Sequence, residues 1–372
     1  VDSVEIDRRL EHNADELQLL FRRTGTAAQR PLVEAIAAAQ VAMSHANESV
    51  PSDTVSAASV QPSPFGPVVF LDLIGDDEQN STWLTAFAGH LGSEGWSGTL
   101  APAPIPPGSQ LPAGFDRAPK PVAFMAFRMG SKPPPGDIFH WGPARWAVDA
   151  DTTSALCRYL VDWGTVPDAA VRLEMGLSRV EFTDPDVAGL LLWATEHDYR
   201  TGVSYVQSSP PVLRRTDLGD WGLATCQVSD DRTDWRSRLE DLRAPLLRFP
   251  DRLDLAFVRA GRYWVRSWVD LMSAVPGLPH VTEPDVRLNR RLLDSYVPDA
   301  HGLQVLTDEH MSRLGPLPDW DVQPLAGGRH LVQARDLEPW FATTEPDPDV
   351  VAAARADFTD ILLTPEVIAA HG

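Results

Sequence analysis

"WDVQPLAGGRHLVQAR", residues 320–335, is the stretch on which the reading of the fold turns. It reads as two extended arms joined across Gly327-Gly328, residues free to take the positive φ angles that a tight hairpin turn demands. A hairpin makes its two strands antiparallel neighbours, so at least part of the sheet runs antiparallel. "RLDLAFVRAGRYWVRSW" (252–268) reads as another hairpin, turning at Ala260-Gly261. "TGVSYVQS" (201–208) and "WGLATCQVS" (221–229) read as strands bracketing a Pro-rich turn.

Strands and helices alternate elsewhere. "PVVFLDLIG" (67–75) reads as a buried strand, and "STWLTAFAGHLG" (81–92) as a helix with Ser81 as cap. "VRLEMGLSRVEF" (171–182) shifts its apolar phase between Leu177 and Val180, the mark of a bulge or a break. Helices are predicted over 151–164, 235–248, near 284–296, and in a final segment carrying Val350, Val351, Ala354, Phe358 and Ile361. Hairpins mixed with crossovers give an α+β fold: a mixed or largely antiparallel sheet flanked by helices.

The N-terminus reads as a helical hairpin over residues 1–46. Ile6, Leu10, Leu17, Leu20 and Phe21 recur near helical spacing, and a second helix follows Pro31 with Leu32, Ile36, Ala39 and Met43 on one face. Such a pair must pack on the body, on a partner, or on a second copy, which would make a homodimer. Residues 47–66, rich in Ser and Pro, read as a linker, and 67–372 as the α+β body, with a possible subdivision near 150.

Composition excludes more than it selects. The 372 residues carry a formal net charge of −20, which falls to −8 over residues 251–372 alone, and no segment forms a basic stripe. Nucleic-acid binding by counterion release and attachment to anionic membranes are therefore disfavoured. A basic protein partner is favoured, mainly through encounter rate. Thirty arginines against two lysines, with many alanines, point to a GC-rich bacterial genome. Cys157 and Cys226 read as buried free thiols rather than a disulfide or zinc framework, and no apolar run approaches the length of a membrane span. These features together predict a cytoplasmic protein.

Phosphate loops, nucleophile elbows and zinc or calcium motifs are missing from the sequence. The most enzyme-like feature is "FLDLIGDDEQNS" (70–81), where Asp72 near a strand end and Asp76, Asp77 and Glu78 beyond it could supply hard oxygen ligands to Mg²⁺. The competing reading is an acidic loop that favours the following helix N-terminus. A second feature, "VRAGRYWVRSW" (258–268), interleaves Arg259, Arg262 and Arg266 with Tyr263, Trp264 and Trp268, the residue types of interface hot spots. Twelve tryptophans in the chain read chiefly as core.

"DAHGLQVLTDEH" (299–310) gathers Asp299, His301, Asp308, Glu309 and His310. "GLQVL" reads as a strand, which spans about 16 Å and holds His301 and His310 too far apart to share a metal. Thr307 or Asp308 then caps a helix, and Asp299 with His301 remains the half able to join a site from elsewhere in the fold. Two functional classes follow from the sequence. The first is an acidic, non-catalytic interaction protein of the inhibitor or immunity type that needs no cofactor. The second is a Mg²⁺-dependent enzyme acting on a phosphorylated or nucleotide substrate through Asp72, Asp76 and Asp77.

Overall fold

The computed structural model describes residues 3–10, 16–63, 66–103, 122–127, 149–175, 178–182, 186–196, 201–208, 211–219, 223–230, 233–260, 289–343 and 345–371. The first strands are β1 (Val4–Ile6), β2 (Glu16–Arg23), β3 (Val55–Ser63), β4 (Gly66–Leu73) and β5 (Gly98–Pro102). There follow β6 (Val122–Phe127), β7 (Ala170–Met175), β8 (Ser178–Phe182), β9 (Thr201–Ser208) and β10 (Pro211–Gly219). The last are β11 (Leu223–Asp230), β12 (Leu253–Arg259), β13 (Leu303–Thr307), β14 (Trp320–Leu325) and β15 (Arg329–Ala334). The helices are α1 (Leu32–Glu48), α2 (Asp77–Ser93), α3 (Ala150–Gly164), α4 (Val187–Glu196) and α5 (Trp235–Arg248). Among the described residues four shorter helices follow: α6 (Asp308–Arg313), α7 (Glu338–Phe341), α8 (Pro348–Asp357) and α9 (Pro365–His371). The class is α+β with predominantly antiparallel strand pairing.

The chain forms two compact units, each discontinuous in sequence: residues 1–109 with 172–193, and residues 110–171 with 194–372. In the first, five strands run in the order β1-β5-β2-β4-β3, parallel only between β1 and β5. The predicted N-terminal helical pair is realised only in its second member. The described residues of 4–22 form β1, a 3-10 turn at Arg8–Leu10 and most of β2 instead. The reason is burial on both faces: β2 is interior to the sheet, and Leu19, Leu20 and Phe21 in succession are fully buried. A strand covered on two sides reads as an unbroken apolar run, which periodicity cannot separate from a helix.

The Ser/Pro segment 47–66 is likewise not simply a linker, since it closes α1 and then runs as β3, Val55–Ser63, paired along its length with β4. As the edge strand of its sheet, β3 tolerates Pro62 and small polar residues that an interior strand would exclude. The apolar stripe of α1 (Leu32, Ala35, Ile36, Ala39, Ala42, Ala46) is buried within this unit, against α2, β3 and β4. Trp83 of α2, fully buried, donates its indole N–H to the Asn47 side chain at 2.8 Å.

In the second unit eight strands run β14-β15-β13-β12-β6-β11-β10-β9, every neighbouring pair antiparallel. The 320–335 hairpin forms as predicted, with Gly327 and Gly328 both at φ +68°. One arm of the 252–268 hairpin is β12; residues 261–268 lie outside the described part. The helix predicted near 284–296 is a 3-10 turn at Arg290–Asp294, with 284–288 outside the described part. Residues 211–219, read as a Pro-rich turn, are β10, the middle strand of a meander with β9 and β11.

Helices α3 and α5 cover one face of this sheet. Asp149 and Asp234 cap them, accepting from the Thr152 and Ser237 backbone N–H groups at 2.9 and 2.8 Å. Arg214 projects from that face to the Trp163 carbonyl and the Asp241 carboxylate, at 2.9 and 2.7 Å. At the end of the run β14 buries only Trp320, whose ring meets Phe358 edge-on and whose N–H reaches Asp357 at 2.9 Å. Five of the seven described tryptophans are buried, which is the core role predicted for them.

Candidate functional site

The acidic loop is built as a helix start. Asp76 is the N-cap of α2: its carboxylate accepts from the Gln79 backbone N–H at 2.9 Å, and the Gln79 side chain accepts from the Asp76 N–H at 3.1 Å. This reciprocal capping box satisfies two helix-terminal donors. Asp77 and Glu78 are exposed in the first turn, where the helix dipole favours them, and Asp72 sits half-buried back in β4. The predicted cap, Ser81, is inside the helix. Among the described residues no three His, Cys, Asp or Glu side chains converge as metal ligands.

Of the predicted hot-spot residues, Arg259 ends β12 and is buried. Arg262, Tyr263, Trp264, Arg266 and Trp268 lie outside the described residues.

The 299–310 stretch divides as its spacing predicts. Thr307 caps α6, and His310 completes the box: its backbone N–H donates to Thr307 Oγ1 at 3.2 Å, while its Nδ1 accepts from the Thr307 N–H at 3.0 Å. Burial pushes the His310 imidazole down to about 4, so it is neutral near pH 7; the Tyr296 backbone and Asp294 oppose this only in part. At the other end Asp299 is buried in a two-pronged pair with Arg355, both contacts at 2.8 Å. His301 is buried with its ring stacked on Phe257, centroids 3.8 Å apart and planes 2° from parallel.

Phe257 faces away from α3 and α5, and the strand register shows what shares that face. Directly opposed residues project to the same side of a sheet. One row contains Ser204, Arg215 and Gln227 and continues across β6 to Arg259. The next contains Gly202, Asp217 and Thr225, then Phe257 and Gln304 beyond β6. This face is thus polar and buried where the opposite one is packed with helices. Arg215 grips Asp217 through Nε and Nη2, at 2.7 and 2.6 Å, and Thr225 Oγ1 donates to Asp217 at 3.4 Å. Gly202 makes room for this pair, since a Cβ there would stand 2.5 Å from Asp217 Oδ1.

Three buried side chains on this face hold polar atoms without a hydrogen-bond partner: Ser204 Oγ, Gln227 Oε1, and both amide atoms of Gln304. Such atoms are rare in folded proteins because each forfeits its hydration. The sequence points to Arg259 and leaves His301 available, but Arg215 and Asp217 escape it because a segment that reads as a Pro-rich turn is strand β10. The alternation Arg215, Asp217 on one face against Arg214, Thr216 on the other was the signal available. Of the remaining described histidines, His90 meets His45 with ring centroids 4.9 Å apart, His330 pairs with Asp308 at 2.7 Å, and His371 lies beside Tyr296 with ring centroids 5.8 Å apart.

No family model matches the chain, and no curated protein matches it significantly. Among the described residues no helix is long and apolar enough to cross a membrane.

Proposed function

We propose that the chain is an interaction protein that binds a basic protein partner, in the manner of an inhibitor or immunity-type binder, in the bacterial cytoplasm. The observation that carries this reading is the charge exposed by the second unit. Among the residues of 289–371 whose side chains are described, twelve carboxylates are exposed against two arginines, Arg291 and Arg335. The Asp308, Asp321 and Glu338 side chains are 75%, 67% and 65% exposed. At such exposure, charge contributes little to folding through ion pairing. It does create a field that attracts a basic partner and speeds encounter. The two cysteines, free and buried, suit a reducing compartment. Buried tryptophans and a packed α1 lend the reading no support, and the described residues of the 70–81 loop gather no metal-ligand cluster that would favour the metal-dependent alternative.

The test is affinity capture from the native lysate at low salt, followed by reconstitution with the purified partner. A stoichiometric basic protein is expected, with an association rate that falls steeply as salt shortens the Debye length. Replacing Asp308, Glu309, Asp321 and Glu338 together by Lys should abolish capture. Recovery of the chain alone in repeated captures, or a partner indifferent to salt and to that substitution, would sink the reading.

A further inference from the structure

We infer that His45 and His90 form a binding site for a late first-row divalent transition ion of the Zn²⁺ type, held on the surface of the first unit by the two imidazoles. Geometry is the first ground. His45 lies on α1 and His90 on α2, and the packing of these helices brings their ring centroids to 4.9 Å with the planes tilted by 35°. Two imidazoles on one Zn²⁺, each nitrogen about 2.0–2.1 Å from it and the bonds near the tetrahedral angle, have ring centres about 5 Å apart. The packed stack of His301 on Phe257, by contrast, closes to 3.8 Å. The pair thus stands at the spacing of shared coordination rather than of ring stacking. Rotation about the soft terminal torsion of each side chain can turn a nitrogen of each toward one point.

Availability is the second ground. His45 is exposed and His90 half-buried, so an ion reaches both rings from solvent. Among the described residues neither imidazole is engaged in a hydrogen bond or an ion pair. His330 and His310 differ here, spending a ring nitrogen on Asp308 and on the Thr307 backbone N–H. Electrostatics is the third. Neither helix carries a Lys or Arg, and each histidine stands in the last turn of its helix, where the negative end of the backbone dipole favours a cation. Glu48 and Glu94, exposed three and four residues further on, add negative charge beside the pair. Ligand chemistry sets the class of ion: imidazole suits Zn²⁺, Cu²⁺ and Ni²⁺, whereas Mg²⁺ and Ca²⁺ take oxygen. No third His, Cys, Asp or Glu converges there among the described residues, so water completes the coordination and the ion exchanges readily.

Isothermal titration of ZnCl₂ into the tag-free full chain tests this. Wild type should take up one Zn²⁺ per chain at a site absent when His45→Gln and His90→Gln are combined, and Mg²⁺ should give no heat. Each single substitution should weaken the site by about tenfold or more, and combining them should cost little further, since a chelate is lost with either arm. His330→Gln, at a histidine paired elsewhere, should leave the site unchanged. Zn²⁺ should also raise the Tm of wild type more than that of the His45 and His90 variants, because an ion bridging two helices binds the folded chain alone. Both positions lie on helix surfaces, and native circular dichroism verifies that each variant folds. The proposal is overturned if wild type binds Zn²⁺ no more tightly than the double variant, if either single variant keeps the wild-type affinity, or if Mg²⁺ displaces Zn²⁺ at equal concentration. Capture of a basic partner rests on carboxylates of the second unit, so its failure would leave this result untouched.

Discussion

Gln304 presents the sharpest energetic question in the second unit. It lies in the interior strand β13, fully buried, opposite Phe257 on one side and Val332 on the other, and neither its Oε1 nor its Nε2 has a partner. Replacing it by Met keeps an unbranched chain of similar length and removes both polar atoms. Each unsatisfied buried group costs about 1–3 kcal/mol. Allowing for imperfect repacking, Gln304→Met should stabilise the chain by about 2 kcal/mol. For a unit of this size that corresponds to a rise of roughly 4–8 °C in Tm. Gln304→Ala removes the same atoms but opens a cavity, so it should gain less or lose. The assay is urea unfolding followed by tryptophan fluorescence, with calorimetry as an independent measure. If Gln304→Met instead destabilises by about 1 kcal/mol or more, the amide is satisfied in solution and the reasoning fails.

Three further outcomes can be measured. His310 is neutral when folded, with its pKa lowered to about 4 from 6.5. Its contribution is complete above pH 6.5 and lost as pH falls toward 4, because the unfolded chain takes up a proton the folded chain refuses. Stability should therefore drop by about 3 kcal/mol over that window. His310→Gln keeps the capping box and should remove this part of the slope; an unchanged slope would assign it to other groups. Asp299→Asn breaks the two-pronged pair and should cost about 3 kcal/mol, while Arg355→Met in the same chain should restore much of it. Strictly additive losses would show that the two do not act as a pair. Asp76→Ala should cost about 1 kcal/mol as a lost cap, with Mg²⁺ leaving the Tm of wild type and variant unmoved. A Mg²⁺-dependent rise that the variant abolishes would restore the metal reading of the loop.

The parts of the fold legible in the sequence were those where one local rule had one solution. The Gly327-Gly328 hairpin, the strand over 303–307 and the capped helix after it each follow from backbone preferences that neighbours do not override. Misreadings arose where tertiary position reversed a local signal. Leu19, Leu20 and Phe21 are consecutive because β2 is covered on both sides. The Ser/Pro segment extends because an edge strand needs only one partner, which β4 supplies. The candidate site suffered most. Its strand β10 hides Arg215 and Asp217 inside "PVLRRTDLG", where charge suggests a surface turn, and only the pairing with β9 and β11 shows these groups to be interior. Arg259 is conspicuous as an arginine among aromatics, yet its row-mates Val122, Gln227, Arg215 and Ser204 come from four other strands, beyond any local pattern.

The outermost strand β14 carries a consequence for how the chain behaves in concentrated solution. An open sheet margin is a template onto which a second chain can add and begin a fibril. Here the margin holds Pro324, which has no N–H to offer, and Asp321, two-thirds exposed and engaged with Arg335 at 3.2 Å. An arriving strand would meet a missing donor and an ionic pair it must strip of water. The growing end of the eight-strand run is closed by chemistry rather than by cover, so this margin resists fibrillar templating without another element laid across it.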